Sequence, residues 1–249
     1  MQFFKRLEVS LRRFRNRLTS YFYWGDERFC PCCQRGFSKF LPAGTGKRHR
    51  VDAVCPFCRS RERDRLLVLL LDSRPELFHQ ALDLLHFAPE PSIQMYLATK
   101  EMASYATTDL MRTDVTFRTD IQSIDLKNES YESVICAHVL QDVPNEAMAL
   151  SEVHRILRQG GWAIFSVPLR GAETVEYGRA EIVRAAWDGR PHEFLRQYGL
   201  DFVERLQAAR YDVEVIGAKD LLQSSDEVVR YGLGNDVFTN VIFFCRKQT

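Results

Sequence analysis

Residues 152–168 read EVHRILRQGGWAIFSVP, and three local signals follow one another within them. The first is a helical pattern that ends in basic residues, the second is the turn at Gly160 and Gly161, and the third is the apolar run from Trp162 to Val167. A helix that returns through a tight turn to a buried strand is typical of α/β folds. The stretch therefore predicts a mostly parallel sheet with helices on both faces.

The sequence on both sides of this stretch shows the same alternation of apolar runs and helical patterns. Strands are predicted near residues 82–87, 103–108, 115–119, 132–137, 161–167, 212–217 and 238–245. Helices are predicted near 91–99, 145–158 and 198–209, and a further helix takes Ser60 as its N-cap and runs to Leu71. The last strand, Phe238 to Cys245, is apolar almost throughout, which predicts a buried position late in the sheet.

Composition and charge limit the class of protein and divide the chain. Of 249 residues, 45% are hydrophobic and 27% are charged, a balance that excludes a wholly disordered chain. The longest aliphatic run, Leu66–Leu71, is far shorter than the roughly 20 apolar residues of a membrane span. Residues 1–65 contain 16 Lys and Arg against 6 Asp and Glu, a net charge of +10, whereas the other 184 residues contain 18 against 27, a net charge of −9. This change predicts a domain boundary near residue 65.

The pattern of residues 1–22 predicts a basic amphipathic helix, because apolar residues recur from Phe3 to Phe22 in steps of three or four between arginines and lysines. Three roles stay open for it: docking on the body of the same protein, contact with an anionic membrane surface, or contact with nucleic-acid phosphates. Charged residues interrupt any apolar core that a secretory signal would need, so a cytoplasmic protein, in part peripheral to the membrane, is expected. The predicted domains are the helix in 1–25, a cysteine module in 26–60 and a large domain in 61–249.

Four cysteines form two C-x-x-C pairs, Cys30 with Cys33 and Cys55 with Cys58. Reduced thiols with this spacing predict a closed tetrahedral Zn²⁺ site in a zinc-ribbon-like module, with a structural rather than a catalytic role. A redox-active dithiol pair is the alternative reading. Cys32 lies inside the first pair and competes with Cys33 as a ligand, although the spacing favours Cys33.

Acidic residues follow two of the predicted strands, at the end of the sheet where α/β proteins bind ligands. Asp109 can accept hydrogen bonds from the two hydroxyls of a ribose, and Asp120 stands where an adenine edge would lie. The alternative for both is a turn or helix-capping role.

The quoted stretch 152–168 resembles the helix–Gly-Gly–strand signature of class I S-adenosylmethionine-dependent methyltransferases, in particular their type 11-like branch. The segment SYESVICAHVLQDVP, residues 130–144, resembles the fourth strand of that family. A smaller subgroup with an N-terminal four-cysteine module and the loop LHFAPE, residues 85–90 here, resembles nearly the whole chain. The resemblance implies a Rossmann-like, seven-stranded methyltransferase sheet and S-adenosylmethionine as the cofactor.

The resemblance also implies which residues bind the methyl donor. Asp109 would bind the ribose, Asp120 and Ile121 the adenine, and the loop 86–90 the methionine part, while Ala137 and His138 would lie at the edge of the transfer site. The implied cofactor-binding residues are His86, Phe87, Ala88, Glu90, Asp109, Leu110, Asp120, Ile121, Ala137 and His138. The family usually has an acid where His86 stands and glycines where Ala88 and Glu90 stand.

Transfer to a hydroxyl acceptor benefits from a base near neutral pKa, which makes histidines the first candidates. His192 belongs to a lid-like segment of about residues 169–197, and His138 follows the fourth strand of the sheet. Tyr198, with Arg196, is a further candidate for positioning an acceptor or the donor carboxylate. For each histidine, a hydrogen-bonded structural role is the alternative.

These observations predict a methyltransferase that acts on a small-molecule or saccharide acceptor. An RNA methyltransferase is a second possibility, because zinc modules fused to this fold also occur in a ribosomal-RNA guanine methyltransferase family and the N-terminal region is basic. A non-catalytic scaffold that has kept the fold is the third.

Overall fold

The computed structural model describes residues 18–44, 49–184, 191–234 and 241–248, with the backbone alone at 178–184 and 191–193. Residues 18–21 are helical, while the rest of the predicted helix 1–22 lies outside the described residues, as do residues 238–240 of the predicted last strand. Four short strands make up the cysteine module: β1 (Arg28–Cys30), β2 (Arg35–Phe37), β3 (Leu41–Ala43) and β4 (Arg50–Val54). β1 pairs with β2 and β3 with β4, both antiparallel.

The remaining strands alternate with helices, as the sequence predicts. The strands are β5 (Asp83–Phe87), β6 (Ser104–Asp109), β7 (Phe117–Arg118), β8 (Tyr131–Ala137), β9 (Leu157–Ser166), β10 (Val175–Arg184), β11 (Pro191–Gln197), β12 (Tyr211–Gly217) and β13 (Val241–Lys247). The helices are α1 (Glu62–Ser73), α2 (Pro91–Leu97), α3 (Glu146–Ile156), α4 (Phe202–Ala208), α5 (Ala218–Leu221) and α6 (Ser225–Arg230). Short 3-10 helices lie at Pro75–Leu77 and Leu140–Asp142.

Seven strands form one sheet in the order β12-β13-β9-β8-β5-β6-β7, and these seven are the strands that the sequence predicts. Neighbours from β7 to β9 are parallel, and β13 alone is reversed between β9 and β12. The first strand of the sheet in sequence, β5, has β6 on one side and β8 on the other. The chain therefore changes direction across the sheet between β5 and β8, which is the topological switch point where such folds bind ligands.

Both faces of the sheet are buried, because successive residues of each central strand enter different apolar clusters. Leu84 and Ile135 pack with α1 and α2 on one face, whereas Leu85 and Val134 pack with α3 and α4 on the other. Continuous apolar runs are the sequence signature of such two-sided burial. This explains why the strands could be read from the sequence.

Each of the two adjacent glycines of the quoted stretch is favoured over other residues for a different structural reason. Gly160 has a φ of +72°, which L side chains rarely adopt, while a Cβ on Gly161 would lie 2.6 Å from the carbonyl oxygen of Glu132 on β8. The predicted helix 145–158 ends at Ile156, and strand pairing begins at Leu157, ahead of the glycines. The turn is thus an irregularity within β9, which brings β9 close to its neighbour.

Two predicted helix starts are wrong. Ser60 is not the N-cap of α1, because its hydroxyl lies 3.2 Å from Cys30 Sγ and its carbonyl accepts the Cys55 N–H. Arg61 is the N-cap instead, and its backbone N–H donates to the Asp64 carboxylate. The predicted helix 198–209 begins only at Phe202, because Tyr198 forms a bridge with Leu169 instead.

Arg65, on α1, connects the cysteine module to the C-terminal part of the chain. The residue is completely buried, and its guanidinium donates to five carbonyls: those of Tyr231 (2.6 Å), Gly232 (2.7 Å), Ser60 (3.0 Å), Ala53 (3.1 Å) and Asp52 (3.3 Å). It also lies over the Phe40 ring, 4.4 Å from the ring centre. The module shares the apolar cluster of α1, so its few apolar residues do not have to form a separate core.

Candidate functional site

The four predicted metal ligands meet at one point. The sulfurs of Cys30, Cys33, Cys55 and Cys58 all lie within 4.8 Å of one another, with 3.5 Å between Cys30 and Cys58 and 3.8 Å between Cys33 and Cys55. Four sulfurs bound tetrahedrally at about 2.3 Å from Zn²⁺ stand about 3.8 Å apart, so the spacing fits this ion.

Two turns of the same geometry hold these sulfurs. Gln34, the residue after the first pair, has a φ of +56°, and its N–H donates to the Cys30 carbonyl at 2.8 Å. Arg59 follows the second pair with a φ of +67°, and its N–H donates to the Cys55 carbonyl at 3.1 Å. Each turn therefore directs two thiols of one C-x-x-C pair toward the same centre.

Cys32 is not part of the four-sulfur group. It is 2% exposed and packs in the apolar cluster of α1, and burial raises the pKa of its thiol well above the ordinary range. The geometry thus favours Cys33 over Cys32 as the fourth ligand, and zinc binding itself stays a prediction.

The second candidate site lies at the carboxyl ends of β5, β6 and β8, called here the switch-point edge. At the end of β5, the buried His86 ring lies between two partners: Nδ1 is 2.9 Å from the Tyr105 hydroxyl, and Nε2 is 3.1 Å from a carboxylate oxygen of Glu90. Ala88 has a φ of +46°, a conformation that favours glycine and costs energy for other residues. The chain thus keeps a glycine-like backbone here without having the glycine.

Asp109 ends β6 at the same edge. One oxygen of its carboxylate, Oδ1, accepts the N–H groups of Met111 (2.7 Å) and Arg112 (2.8 Å), which is the turn-capping role named as the alternative above. The other oxygen, Oδ2, has no hydrogen-bond partner within the described parts of the chain. Leu110 and Met111 beside it are 59% and 79% exposed. Turn capping and ligand binding are therefore compatible at this residue.

Asp120 and Ile121 lie after β7, in a turn closed by a bridge between Asp120 and Ser123. Both carboxylate oxygens of Asp120 accept from the Gln122 side chain, at 3.1 and 3.2 Å, and Ile121 is buried. The turn reading of Asp120 agrees with these contacts, and its role toward adenine stays a prediction.

Ala137 and His138 complete the switch-point edge at the end of β8. His138 also has a left-handed backbone, with a φ of +53°, and its N–H donates to the Ser166 carbonyl at 2.7 Å. Its pKa lies well below the usual range, because burial and the nearby charges of Arg63 and Arg61 disfavour the protonated ring. The ring is therefore neutral near pH 7, and the same surroundings make it a weak proton acceptor.

The other two catalytic candidates are placed differently. His192 lies in β11, and its side chain is outside the described residues. Tyr198 is completely buried with its ring edge against Phe202, and burial raises the pKa of its hydroxyl well above the ordinary range. This environment favours a packing role for Tyr198, and the catalytic role of each residue stays a prediction.

Arg196 binds the protein itself rather than an open cleft. Its guanidinium donates to the carbonyls of Leu140 (3.0 Å), Val143 (2.7 Å) and Pro144 (3.1 Å) and pairs with Glu176 at 2.9 Å. These bonds tie the hairpin of β10 and β11 to the turn that follows His138.

Sequence reasoning missed the charged side chains that reach the switch-point edge from α1. Asp64 accepts the Ser92 hydroxyl at 2.9 Å, which joins the first turn of α1 to that of α2 directly after Glu90. Arg63 lies beside Asp64, with 3.4 Å between its Nε and a carboxylate oxygen. The available signal was the charged run from Arg61 to Arg65, immediately after the second cysteine pair.

The sheet order, the reversed β13 and the switch-point edge define a Rossmann-like methyltransferase fold. Residues 93–165 match a family model described as "Methyltransferase domain". No curated protein matches the sequence. The fold and the family match support a methyltransferase domain.

Solved structures share the fold at low sequence identity. A chain from the complex of the Haloferax volcanii Trm112 methyltransferase activator with a protein assigned as a methyltransferase is 15% identical, with a TM-score of 0.50 over 75% of this chain and 92% of that chain. An S-adenosylmethionine-dependent methyltransferase from Mesorhizobium loti is 13% identical, with a TM-score of 0.46 over 72% of this chain and 98% of that chain.

Proposed function

We propose that the protein is an S-adenosylmethionine-dependent methyltransferase that acts on a small-molecule or saccharide acceptor. The observation that carries this proposal is the meeting of the loop 86–90, Asp109 and His138 at the switch-point edge. Ligands of open α/β sheets bind at this place, and the family match covers the strands and helices between these residues.

The residues at this edge fit a nucleoside-bearing donor. The open Oδ2 of Asp109 can accept a ribose hydroxyl, and the exposed apolar surface of Leu110 and Met111 offers a face for the adenine ring. The left-handed backbone of Ala88 and His138 keeps the strand ends in the conformation that glycine would adopt. Asp120 and Ile121 would border the adenine from the next turn.

When bound, S-adenosylmethionine would supply an electrophilic methyl group. The protein's own contribution is to hold the acceptor in line with it and to remove a proton from the acceptor oxygen. His138 is neutral near pH 7 and can accept a hydrogen bond from the acceptor hydroxyl, whereas its lowered pKa makes it a weak base for full proton transfer. His192 is an alternative base if the hairpin of β10 and β11 closes over the acceptor.

The position of the hairpin of β10 and β11 is the reason for proposing a small acceptor. Arg196 fixes it to the turn after His138, so the hairpin stands beside the transfer site. A covered site favours a small molecule or a sugar over a polymer. The four-cysteine group is proposed to bind one structural Zn²⁺, because a closed set of four thiolates leaves no position for a reacting water.

The test is calorimetric titration of the zinc-loaded protein with S-adenosylmethionine and S-adenosylhomocysteine. Wild type is expected to bind both with a Kd in the micromolar range. Asp109→Asn keeps the Oδ1 cap but removes the second acceptor, so affinity is expected to fall about tenfold. Asp226→Asn, at an exposed aspartate of α6, is the matched control. A folded wild-type protein that binds neither compound would contradict the proposal and favour the scaffold function.

We further propose that the N-terminal segment contacts a membrane surface bearing anionic lipids. Tyr21, Phe22 and Trp24 are 71%, 87% and 73% exposed, and residues 1–65 carry a net charge of +10. Aromatic side chains next to basic ones suit a lipid interface. The double variant Phe22→Ser and Trp24→Ser should lose flotation with anionic vesicles, while Val229→Ser retains it. Equal flotation of all three proteins, or retention on RNA but not on vesicles, contradicts this proposal.

A further inference from the structure

The first turn of α1 brings both signs of charge to the switch-point edge. Arg61 is the N-cap of α1, Arg63 lies 3.4 Å from the Asp64 carboxylate in its first turn, and Glu90 immediately precedes α2. The hydrogen bond from Ser92 to Asp64 fixes the two helix starts to each other at 2.9 Å. The charged first turn of α1 is thus joined to the residues that directly follow the loop 86–90.

Electrostatic interactions also relate these groups to the ends of β5 and β8. The charges of Arg63 and Arg61 disfavour protonation of His138, and the charge of Glu90 disfavours ionisation of Asp64. Charge interactions of this kind act over about 10 Å at ordinary ionic strength. These interactions agree with the Ser92–Asp64 hydrogen bond, which joins the first turn of α1 to the residues that follow the loop 86–90.

Arg63 has hydrogen-bonding capacity that the described protein does not use. Its Nε is buried without a hydrogen-bond partner among the described residues, and its ion pair with Asp64 is long, at 3.4 Å. Burial and the adjacent Arg63 lower the pKa of Arg61 to about 10. Two partly buried guanidinium groups side by side repel each other, and an anion bound between them relieves that repulsion.

The loop 86–90 is short of donors for such an anion. Pro89 has no N–H, and the Ala88 N–H donates to the Thr108 carbonyl at 2.8 Å. The carboxylate of Glu90 adds negative charge at the same place. A carboxylate ligand therefore needs a cation from outside the loop, whereas an ammonium group is matched by Glu90.

We propose that Arg63, with Arg61 beside it, binds the α-carboxylate of the methyl donor, and that Glu90 binds its ammonium group. This inference rests on the proposed function and adds to it which residues bind each charged group of the donor. The amino-acid end of the donor is a zwitterion, and the site presents the two complementary charges. The helix that leaves the cysteine module would thus complete the donor site.

The test compares two ligands that differ in the amino-acid end alone. S-adenosylhomocysteine carries that end, and methylthioadenosine has the same nucleoside and thioether without it. In Arg63→Met, the Kd for S-adenosylhomocysteine is expected to rise at least about tenfold, while the Kd for methylthioadenosine changes less than about twofold. Glu90→Gln should show the same selectivity, and Arg230→Met, at an exposed arginine of α6, should change neither Kd.

The outcomes separate this inference from the proposed function. If wild type binds S-adenosylhomocysteine and Arg63→Met binds it equally well, the carboxylate assignment is wrong and the proposed function stands. If both ligands weaken together in a variant with wild-type circular dichroism, the effect on the cleft is general, and the assignment is again refuted. If folded wild type binds neither ligand, both the assignment and the proposed function fail.

Discussion

Replacing Arg65 with methionine tests how the cysteine module is attached. Methionine keeps the length and apolar character of the side chain but removes a guanidinium that donates to five buried or partly buried carbonyls at 2.6–3.3 Å. Hydrogen bonds from a charged donor each contribute about 1 kcal/mol or more to stability. Removing the buried charge also removes its desolvation cost, which offsets part of the loss. The free energy of unfolding is therefore expected to fall by about 3–5 kcal/mol.

A loss of this size should lower the Tm by roughly 10 °C for a chain of this length. The assay is thermal and urea unfolding followed by circular dichroism, with zinc release to a chelator as a second readout. Zinc release should be faster in the variant, because all five bonds fix Arg65 to the cysteine module or to the C-terminal segment. Arg65→Lys keeps the charge but has donors for at most three carbonyls, so about half of the loss is expected.

The exposed arginine variant Arg230→Met is the control and should change the free energy of unfolding by less than about 0.5 kcal/mol. An Arg65→Met protein within about 1 kcal/mol of wild type, with unchanged zinc release, would refute the reasoning. Such a result would mean that the carbonyls find other partners when the guanidinium is removed.

Three further predictions follow from the same structure. Gly161→Ala should destabilise the protein by about 1–3 kcal/mol in urea unfolding, because its Cβ would meet a backbone carbonyl of the adjacent strand. Gly160→Ala should destabilise it by about 1–2 kcal/mol, because alanine disfavours the left-handed backbone at this position. Equal stability of wild type and Gly161→Ala would contradict the first estimate. The free energy of unfolding should fall as the pH drops below about 6.5, because the unfolded chain binds a proton at His138 that the folded site disfavours. His138→Gln should remove this contribution to the pH dependence of stability. An identical pH dependence in the variant and in wild type argues against it. Metal analysis should find about one Zn²⁺ in Cys32→Ser and a loss of zinc in Cys33→Ser, and the reverse order would make Cys32 the ligand.

The strands and the sulfur group were predictable because their signals are local. Buried strands such as β9 contain continuous apolar runs, and each C-x-x-C pair is itself a turn that directs two sulfurs to one side. The ends of elements were less predictable. Ser60 has the side chain of an N-cap, but a thiol 30 residues earlier in the sequence is its partner in the fold.

The charged residues of the candidate site could not be predicted for a related reason. Arg65 finds two of its acceptors 166 and 167 residues later, and no local pattern encodes that pairing. Arg63 reads as part of a solvated charged run, and its position near the start of α2 follows from the packing of two helix starts, which the Ser92–Asp64 hydrogen bond joins. The hairpin of β10 and β11 was expected as a covering segment without its strands, since its sequence lacks a clear alternation.

The attachment of that hairpin limits how it can move. One guanidinium, that of Arg196, holds three carbonyls of the turn 140–144, and the same turn holds the carbonyl of His138 through Gln141 at 2.6 Å. Lifting the hairpin alone would break all three bonds, whereas lifting it together with the turn preserves them. The hairpin, the turn and the backbone at His138 are therefore connected through side-chain hydrogen bonds, and any movement of the hairpin that keeps these bonds would also displace the end of β8.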